Sequence, residues 1–255
     1  MFQKIKKHQF LFEELVKRDF KQKYKRTVLG MAWSVLSPLL TLLVMKIVFT
    51  QIFGRNTPHY TTYLFAGNIV MSFFKESTRG GMSSLMNNAK IFTKVNVPKY
   101  LFLLSKNVSV LVNFFLILCV FFLFAALDDI TFGWHMLSLI YPIFCLLLFN
   151  IGVGMVLSAM FVFFRDTQYL YDVFLTLLTY LSAVFYTVDR FPPAGQRLFL
   201  LNPVYVYIRY FRLVCIDGII PSVQYHGLAL FYAVAALGIG IWTYRRNDHK
   251  FLYYV

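Results

Sequence analysis

Acidic residues are scarce in this chain: 11 Asp and Glu stand against 25 Lys and Arg in 255 residues, a formal charge of +14. There is no GxxxxGK[ST] run, so the chain lacks that means of cradling a nucleotide phosphate. Three cysteines, Cys119, Cys145 and Cys215, are scattered without a CxxC pair, which argues against a disulfide framework or a zinc site. His8, His59, His135, His226 and His249 fall at the termini or at the edges of apolar runs and show no HExxH spacing, leaving metal chemistry no foothold. No cleavable leader is evident, because basic sequence precedes the first long apolar run.

Hydrocarbon is what the chain has in excess: 59% of residues are hydrophobic and 19% aromatic, more than a soluble domain can hide. Such a composition reads as an all-α integral membrane protein, since a helix of about 20 apolar residues satisfies its own backbone in the bilayer. Six spans are predicted within a single membrane domain, over residues 31–53, 60–74, 108–127, 137–163, 169–188 and 227–244. The basic residues sit mainly beside these spans, where anionic lipid accounts for them without nucleic acid.

Residues 1–29 form a basic arm that carries nine of the 25 Lys and Arg. Within it Phe12, Val16, Phe20 and Tyr24 recur at every fourth residue beside Leu11 and Leu15, the periodicity of an amphipathic helix at the membrane surface. The chain enters hydrocarbon near Gly30. In the first span Gly30, Ser34, Ser37 and Thr41 make a small polar stripe, Pro38 is expected to kink the helix, and Lys46 is an ionisable residue off that stripe. The fifth span repeats the pattern with Tyr169, Asp172, Thr176, Thr179 or Tyr180, Ala183 and Thr187. In the fourth, Gly152, Gly154 and Ser158 are spaced for close helix packing.

Two connectors are longer than turns need to be. Residues 75–106 are polar and basic, a structured docking loop in which KESTRGG continues the second helix outside the hydrocarbon and Leu85, Met86, Ala89, Ile91 and Phe92 are expected to form one or two short helices before Pro98. Residues 189–226 hold an apolar run broken at Asn202-Pro203 and carrying Arg209 and Arg212. If that run were a seventh span it would bury both arginines. Read instead as two half-length helices that enter and return, it places both termini on the cytoplasmic side. Eighteen Lys and Arg then lie inside, namely the nine of the arm with Lys75, Arg79, Lys90, Lys94, Lys99, Arg165, Arg245, Arg246 and Lys250, against five outside.

The stretches RDFKQKYKRTVLGMAWSVLSP from Arg18, NNAKIFTKVNVPK from Asn87, VFFRDTQ from Val162, FPP from Phe191 and NPVYVYIRYFR from Asn202 resemble, in order and spacing, the polysaccharide-exporter branch of the ATP-binding-cassette type 2 permeases. The resemblance spans nearly the whole chain. It implies a homodimer in the bacterial cytoplasmic membrane, paired with two copies of a separate nucleotide-binding ATPase that holds the ATP and Mg, while this subunit has no catalytic residues, binds no cofactor or metal directly and is not an enzyme. It further implies that the arm and the 75–106 loop face the ATPase, that spans one and five line the conduit, and that the re-entrant helices shape its outer mouth.

The coupling candidates are therefore Glu13, Glu14, Lys17, Arg18, Asp19, Lys21, Asn87, Asn88, Lys90 and Lys94. A lipid-linked polysaccharide or teichoic-acid-like polymer needs hydrogen-bonding groups and flat apolar surfaces. Ser34, Ser37, Thr41, Thr176 and Thr179 offer the first, Tyr180, Tyr186, Tyr205, Tyr207 and Tyr210 the second, with Arg209 and Arg212 for phosphate or acidic sugar and Lys46 as a further channel candidate. The alternatives are an exporter of lipids or small drugs on the same scaffold and a membrane-embedded glycosyl- or acyltransferase. The latter lacks clustered acid–base groups, because Asp128-Asp129 and Asp166 lie on opposite sides of the membrane with no His beside either.

Overall fold

The computed structural model describes residues 9–24, 29–53, 59–95 and 97–254, all of them in helices or connectors with no strand among them. Lys4, Lys6, Lys7, Lys25 and Arg26 of the arm, residues 54–58 of the first connector and Asn96 lie outside the described residues, as does the Tyr24 side chain.

The helices are α1 Gln9–Tyr24, α2 Trp33–Phe53, α3 Tyr60–Asn87, α4 Ala89–Phe92, α5 Tyr100–Leu127, α6 Ile140–Phe163, α7 Thr167–Leu181, α8 Pro193–Phe199, α9 Pro203–Cys215, α10 Val223–Asn247 and α11 Phe251–Tyr254. Three helical stretches among the described residues are long and apolar enough to cross a bilayer: Tyr100–Leu127, Trp134–Phe163 and Val223–Asn247. Trp33–Val48 is a shorter apolar helix. α8 and α9 meet at 107°, a bend that rules out one straight crossing and suits a pair of half-length helices.

Several boundaries move. The second helix continues past residue 74 as expected, but as far as Asn87, and the third begins at Tyr100 instead of 108, so residues 75–106 are mostly helix. The polar run KESTRGG is helical because its small polar residues pack against protein. Ser77, Thr78 and Ser84 are buried, Thr78 donates to the Phe74 carbonyl (2.7 Å), and Gly81 lies so close to α6 that a Cβ there would stand 3.1 Å from the Gly154 Cα.

The fifth helix also ends early, at Leu181 instead of 188, where Ala183 takes φ +50°. The fourth begins as a 3-10 turn, Trp134–Leu139, and the last extends to Val223–Asn247. At the entry to α2, Gly30 adopts φ +51°, left-handed backbone that a side chain would strain. Pro38 lies inside α2 without ending it.

α6 is the centre of the bundle, packed along much of its length on α3 and α10. Gly152 and Gly240 set its approach to α10, since a Cβ at Gly240 would meet the Gly152 carbonyl oxygen at 2.6 Å. The Tyr244 hydroxyl donates to Ser158 (3.1 Å) at the same seam. α1 lies against α5 with Leu15 buried and Leu11 and Phe12 half-buried, in one cluster with Leu85, Phe92, Phe102 and Leu103. That face of α1 packs on protein, which ties the arm mechanically to α3 and α5. Nearby, Lys99 donates to the Asp248 carboxylate (3.0 Å) and to its carbonyl, fastening the start of α5 to the end of α10.

Candidate functional site

The two coupling segments, some seventy residues apart in sequence, meet at one cavity. Arg18 and Asp19 of α1, Asn87 and Asn88 at the end of α3, and Lys106 of α5 surround about 440 Å³ of space, with Gly80, Ser84 and Phe102 completing the wall. Asp19 is 8% exposed and accepts from Arg18 Nη2 (2.7 Å) and Nε (3.0 Å), so its carboxylate enters the fold already neutralised. Asn88 Nδ2 donates to the Ser84 carbonyl (2.8 Å), while its buried Oδ1 has no hydrogen-bond partner among the described residues. The Lys106 stem lies across Gly80, where a Cβ would overlap it at 2.7 Å.

Of the other coupling candidates, Glu13, Glu14, Lys17, Lys21, Lys90 and Lys94 are exposed around this cavity's elements. Lys17 pairs with Glu14 at 3.0 Å, and that hydrogen bond pushes its ammonium pKa up, although an exposed pair of this kind adds little stability. Gly80, Ser84, Phe102 and Lys106 are additions to the sequence-derived set. They were hidden inside a stretch that reads as loop.

The polar stripe of the first span faces a groove shared with α3 and α5. Ser34 is buried, Ser37 and Thr41 are exposed at the rim, and Asn68, Ser72 and Glu76 of α3 with Asn113 of α5 lie across about 190 Å³. Asn68, Ser72 and Glu76 repeat every fourth residue, the helical signal that would have found them. Lys46 is exposed on α2 beside Ile47 and Val48 and takes no part in this groove.

On α7, Thr176 and Thr179 donate to the carbonyls one turn back, at Asp172 (3.1 Å) and Leu175 (2.6 Å), and Tyr180 is 58% exposed. Tyr171, Leu175 and Leu178 are buried, while Leu170, Val173, Phe174 and Leu177 face away from the chain with Thr176 and Tyr180. Arg79 grips Asp172 through Nε (2.8 Å) and Nη2 (2.7 Å), fastening the start of α7 to α3.

The sequence assigned Tyr205, Tyr207, Tyr210 and Arg212 to a substrate surface, and the structure places them inside the fold. Tyr207 donates to the Ala229 carbonyl (2.8 Å), Tyr210 bonds His226 Nε2 (2.8 Å), and Tyr205 packs with Ala183 and Val188. Arg212 is 2% exposed, with its guanidinium carbon 3.5 Å from the centre of the Tyr63 ring. It donates to the carbonyls of Ala183 (2.8 Å), Val184 (2.8 Å) and Tyr63 (3.2 Å) and to the Tyr63 hydroxyl (2.7 Å).

Beyond these, Tyr60 donates to the Phe185 carbonyl (2.7 Å) and Tyr63 to that of Tyr186 (2.8 Å). Four successive carbonyls after α7 are thus capped by side chains from α3 and α9, so the irregular segment 183–186 keeps its acceptors satisfied inside the fold. Arg209, half-buried, reaches Asp189 at 3.7 Å, and Tyr186 donates to the Tyr180 carbonyl (2.9 Å). Of the residues expected to touch substrate on this side, Arg209, Tyr180 and Tyr186 remain accessible.

Among the described residues no group of three or more His, Cys, Asp or Glu is placed to hold a metal ion. The family model described as "ABC-2 type transporter" matches residues 11–215. The chain is 24% identical over 251 residues to an O-antigen export system permease protein RfbA of Klebsiella pneumoniae, covering 95% of each. To the RfbA of Myxococcus xanthus it is 26% identical over 216 residues, 84% of this chain and 83% of that one. A polysialic acid transport protein KpsM of Escherichia coli is 21% identical over 247 residues, 94% of each.

Proposed function

The chain belongs to the ABC-2 type transporter family, and we propose that it is the membrane subunit of an ATP-driven exporter of a cell-surface polysaccharide across the bacterial cytoplasmic membrane. O-antigen, capsule or teichoic-acid-like polymers, lipid-linked at one end, are the substrate class. The polymer half of this reading rests on what the relatives export over nearly the whole of this chain's length. The energy half is carried by one observation, the cavity at which Arg18, Asp19, Asn87, Asn88 and Lys106 converge.

In this reading two copies of a separate ATPase hold ATP and Mg and seat against α1 and the α3–α4 corner, six spans cross the membrane, and both termini are cytoplasmic. Because α1 is packed on α5 and shares a cluster with the end of α3, a push on the arm is transmitted to both helices. Two copies of this chain enclose the path. In that pairing the outward face of α7, where Thr176 and Tyr180 lie among Leu170, Val173, Phe174 and Leu177, faces the second copy or the conduit.

Asn87→Arg places a third cation beside Arg18 and Lys106 and is expected to lower polymer export about tenfold, the effect of ~1.4 kcal/mol of lost coupling. Membrane assembly should be unchanged, and Asn87→Gln should stay within about twofold of the parent. The check is export measured against the ATPase rate of the purified complex. Unaltered export by Asn87→Arg would remove the cavity from the coupling path.

A further inference from the structure

Three polar side chains in the interior of the bundle make no use of the packing around them. Ser77 of α3, Asn107 of α5 and Asn150 of α6 are fully buried, and among the described residues Ser77 Oγ, Asn107 Oδ1 and both amide atoms of Asn150 have no hydrogen-bond partner. Their neighbours behave differently. Thr78, Ser84 and Ser105 each return the hydroxyl to a carbonyl of their own helix, at 2.7, 2.7 and 3.0 Å, whereas Ser77 does not. Asn107 gives its Nδ2 to the Leu103 carbonyl (3.0 Å), and that bond fixes the amide with Oδ1 as its unsatisfied end. A buried polar atom without a partner costs free energy comparable to a lost hydrogen bond, so a cluster of them points to a polar ligand.

The helices carry all three to one junction. A Cβ at Gly81 of α3 would stand 3.1 Å from the Gly154 Cα of α6, and one at Gly154 would stand 3.5 Å from Leu103 Cδ1 of α5, so these residues mark one contact point. α3 and α6 run parallel, as the Phe74 and Phe149 rings, paired ahead of that point, show. α5 runs against them, with Phe114 on Phe73 and Lys106 on Gly80. Ser77 and Asn150 lie four residues before their glycines, and Asn107 lies four after its leucine. Each is therefore one turn, about 5.4 Å, from the contact point, on the same face and in the same direction.

Their hydrogen-bonding needs add up to those of water. The two carbonyl oxygens only accept, Asn150 Nδ2 only donates and the Ser77 hydroxyl does either, while a buried water offers donors and acceptors and makes about three bonds. A cation fits poorly. The unsatisfied oxygens are neutral, Lys75, Arg79 and Lys106 lie within a turn of the three along α3 and α5, and the Glu76 carboxylate lines the α2 groove instead. Water also has a route, because the coupling cavity reaches Gly80 and Lys106, the neighbours of Gly81 and Asn107.

We infer that Ser77, Asn107 and Asn150 form an internal water site, in which ordered water bridges α3, α5 and α6. α6 is thereby hydrogen-bonded to the two helices that wall the coupling cavity, beside a contact that Gly81, Gly154 and Leu103 otherwise make by packing alone. The inference goes beyond the export reading and stands whatever polymer the chain carries.

The test uses the intact complex of the chain with its ATP-binding partner. An electron-microscopy map fine enough to show ordered water is expected to hold a density at about 2.7–3.2 Å from Ser77 Oγ and from an amide atom of Asn107 or Asn150. X-ray radiolysis turns a bound water into a hydroxyl radical in place, so it should oxidise Leu103, which bulk solvent does not reach. Asn107→Leu combined with Asn150→Leu should lose most of that oxidation, and Leu64, equally buried elsewhere on α3, should stay unlabelled in both proteins.

A map in which the two amides bond each other with no density beside them overturns the inference, as does a Leu103 no more oxidised than Leu64. A density that disappears when sodium and potassium are replaced by choline would assign the site to a cation and overturn it as well. If the double variant fails to assemble, the map and the comparison of Leu103 with Leu64 in the parent still decide.

Discussion

Arg212→Ala is expected to destabilise the chain by about 3–5 kcal/mol, with a fall in the midpoint of thermal unfolding on the order of 10 °C in detergent. The magnitude follows from what Arg212 holds. Two buried carbonyls, at Ala183 and Val184, lose their donors, and each orphaned acceptor costs about 1–3 kcal/mol. The cation–π contact with Tyr63 is lost as well.

Arg212→Lys should recover only part of the loss, because one ammonium cannot span the carbonyls that a planar fork reaches together. Gly67→Ala should have a related effect from the other side, since a Cβ there would overlap the guanidinium. Thermal unfolding of the three variants checks all of this. An Arg212→Ala protein as stable as the parent would show that the bonds from Arg212 to the Ala183 and Val184 carbonyls do not hold the segment after α7.

The second large effect is expected at the α6–α10 seam. A Cβ at Gly152 would overlap the backbone of Ala236 and Leu237, which cannot rotate aside as a side chain can. Gly152→Leu is expected to prevent α6 and α10 from packing and to abolish stable accumulation in the membrane. For Gly152→Ala two terms compete: helix propensity favours alanine by about 1 kcal/mol, and overpacking against rigid backbone costs about 1–3 kcal/mol, so a net loss is expected. A Cβ at Gly238 of α10 would meet nothing within 4 Å, so Gly238→Ala should be neutral or stabilising by up to about 1 kcal/mol. Parallel measurements of membrane abundance and thermal stability compare the pair, and equal behaviour of Gly152→Ala and Gly238→Ala would contradict the close-packed seam.

Much of the fold was legible because hydropathy and small-residue spacing are local. The apolar helices, the half-length pair around Asn202-Pro203 and the glycine seam of α6 all follow from residues within a few turns of one another. The full length of α3 did not: KESTRGG reads as a further turn of helix, but its extension to Asn87 rests on α6 covering Gly81 and on the burial of Ser84. The irregular course of residues 183–186 after α7 depends on donors from Tyr60, Tyr63 and Arg212, which no sequence window contains together.

The same non-locality explains Arg212, whose charge suggested a phosphate partner and whose hydrogen bonds all go to the chain's own α3 and the 183–184 backbone. The docking cavity was half legible. Its α1 and Asn87-Asn88 contributors carry recognisable patterns, while Gly80 and Lys106 acquire meaning only when α3 and α5 are seen to extend past the expected span ends.

Reconstitution tests the central claim most directly: the purified chain, with and without its ATP-binding partner, is placed in phospholipid vesicles, and passage of the strain's own lipid-linked polysaccharide is followed on adding ATP and Mg. The account predicts polymer movement only when both subunits and ATP are present. Movement by this chain alone, or by the complex without ATP, would contradict it.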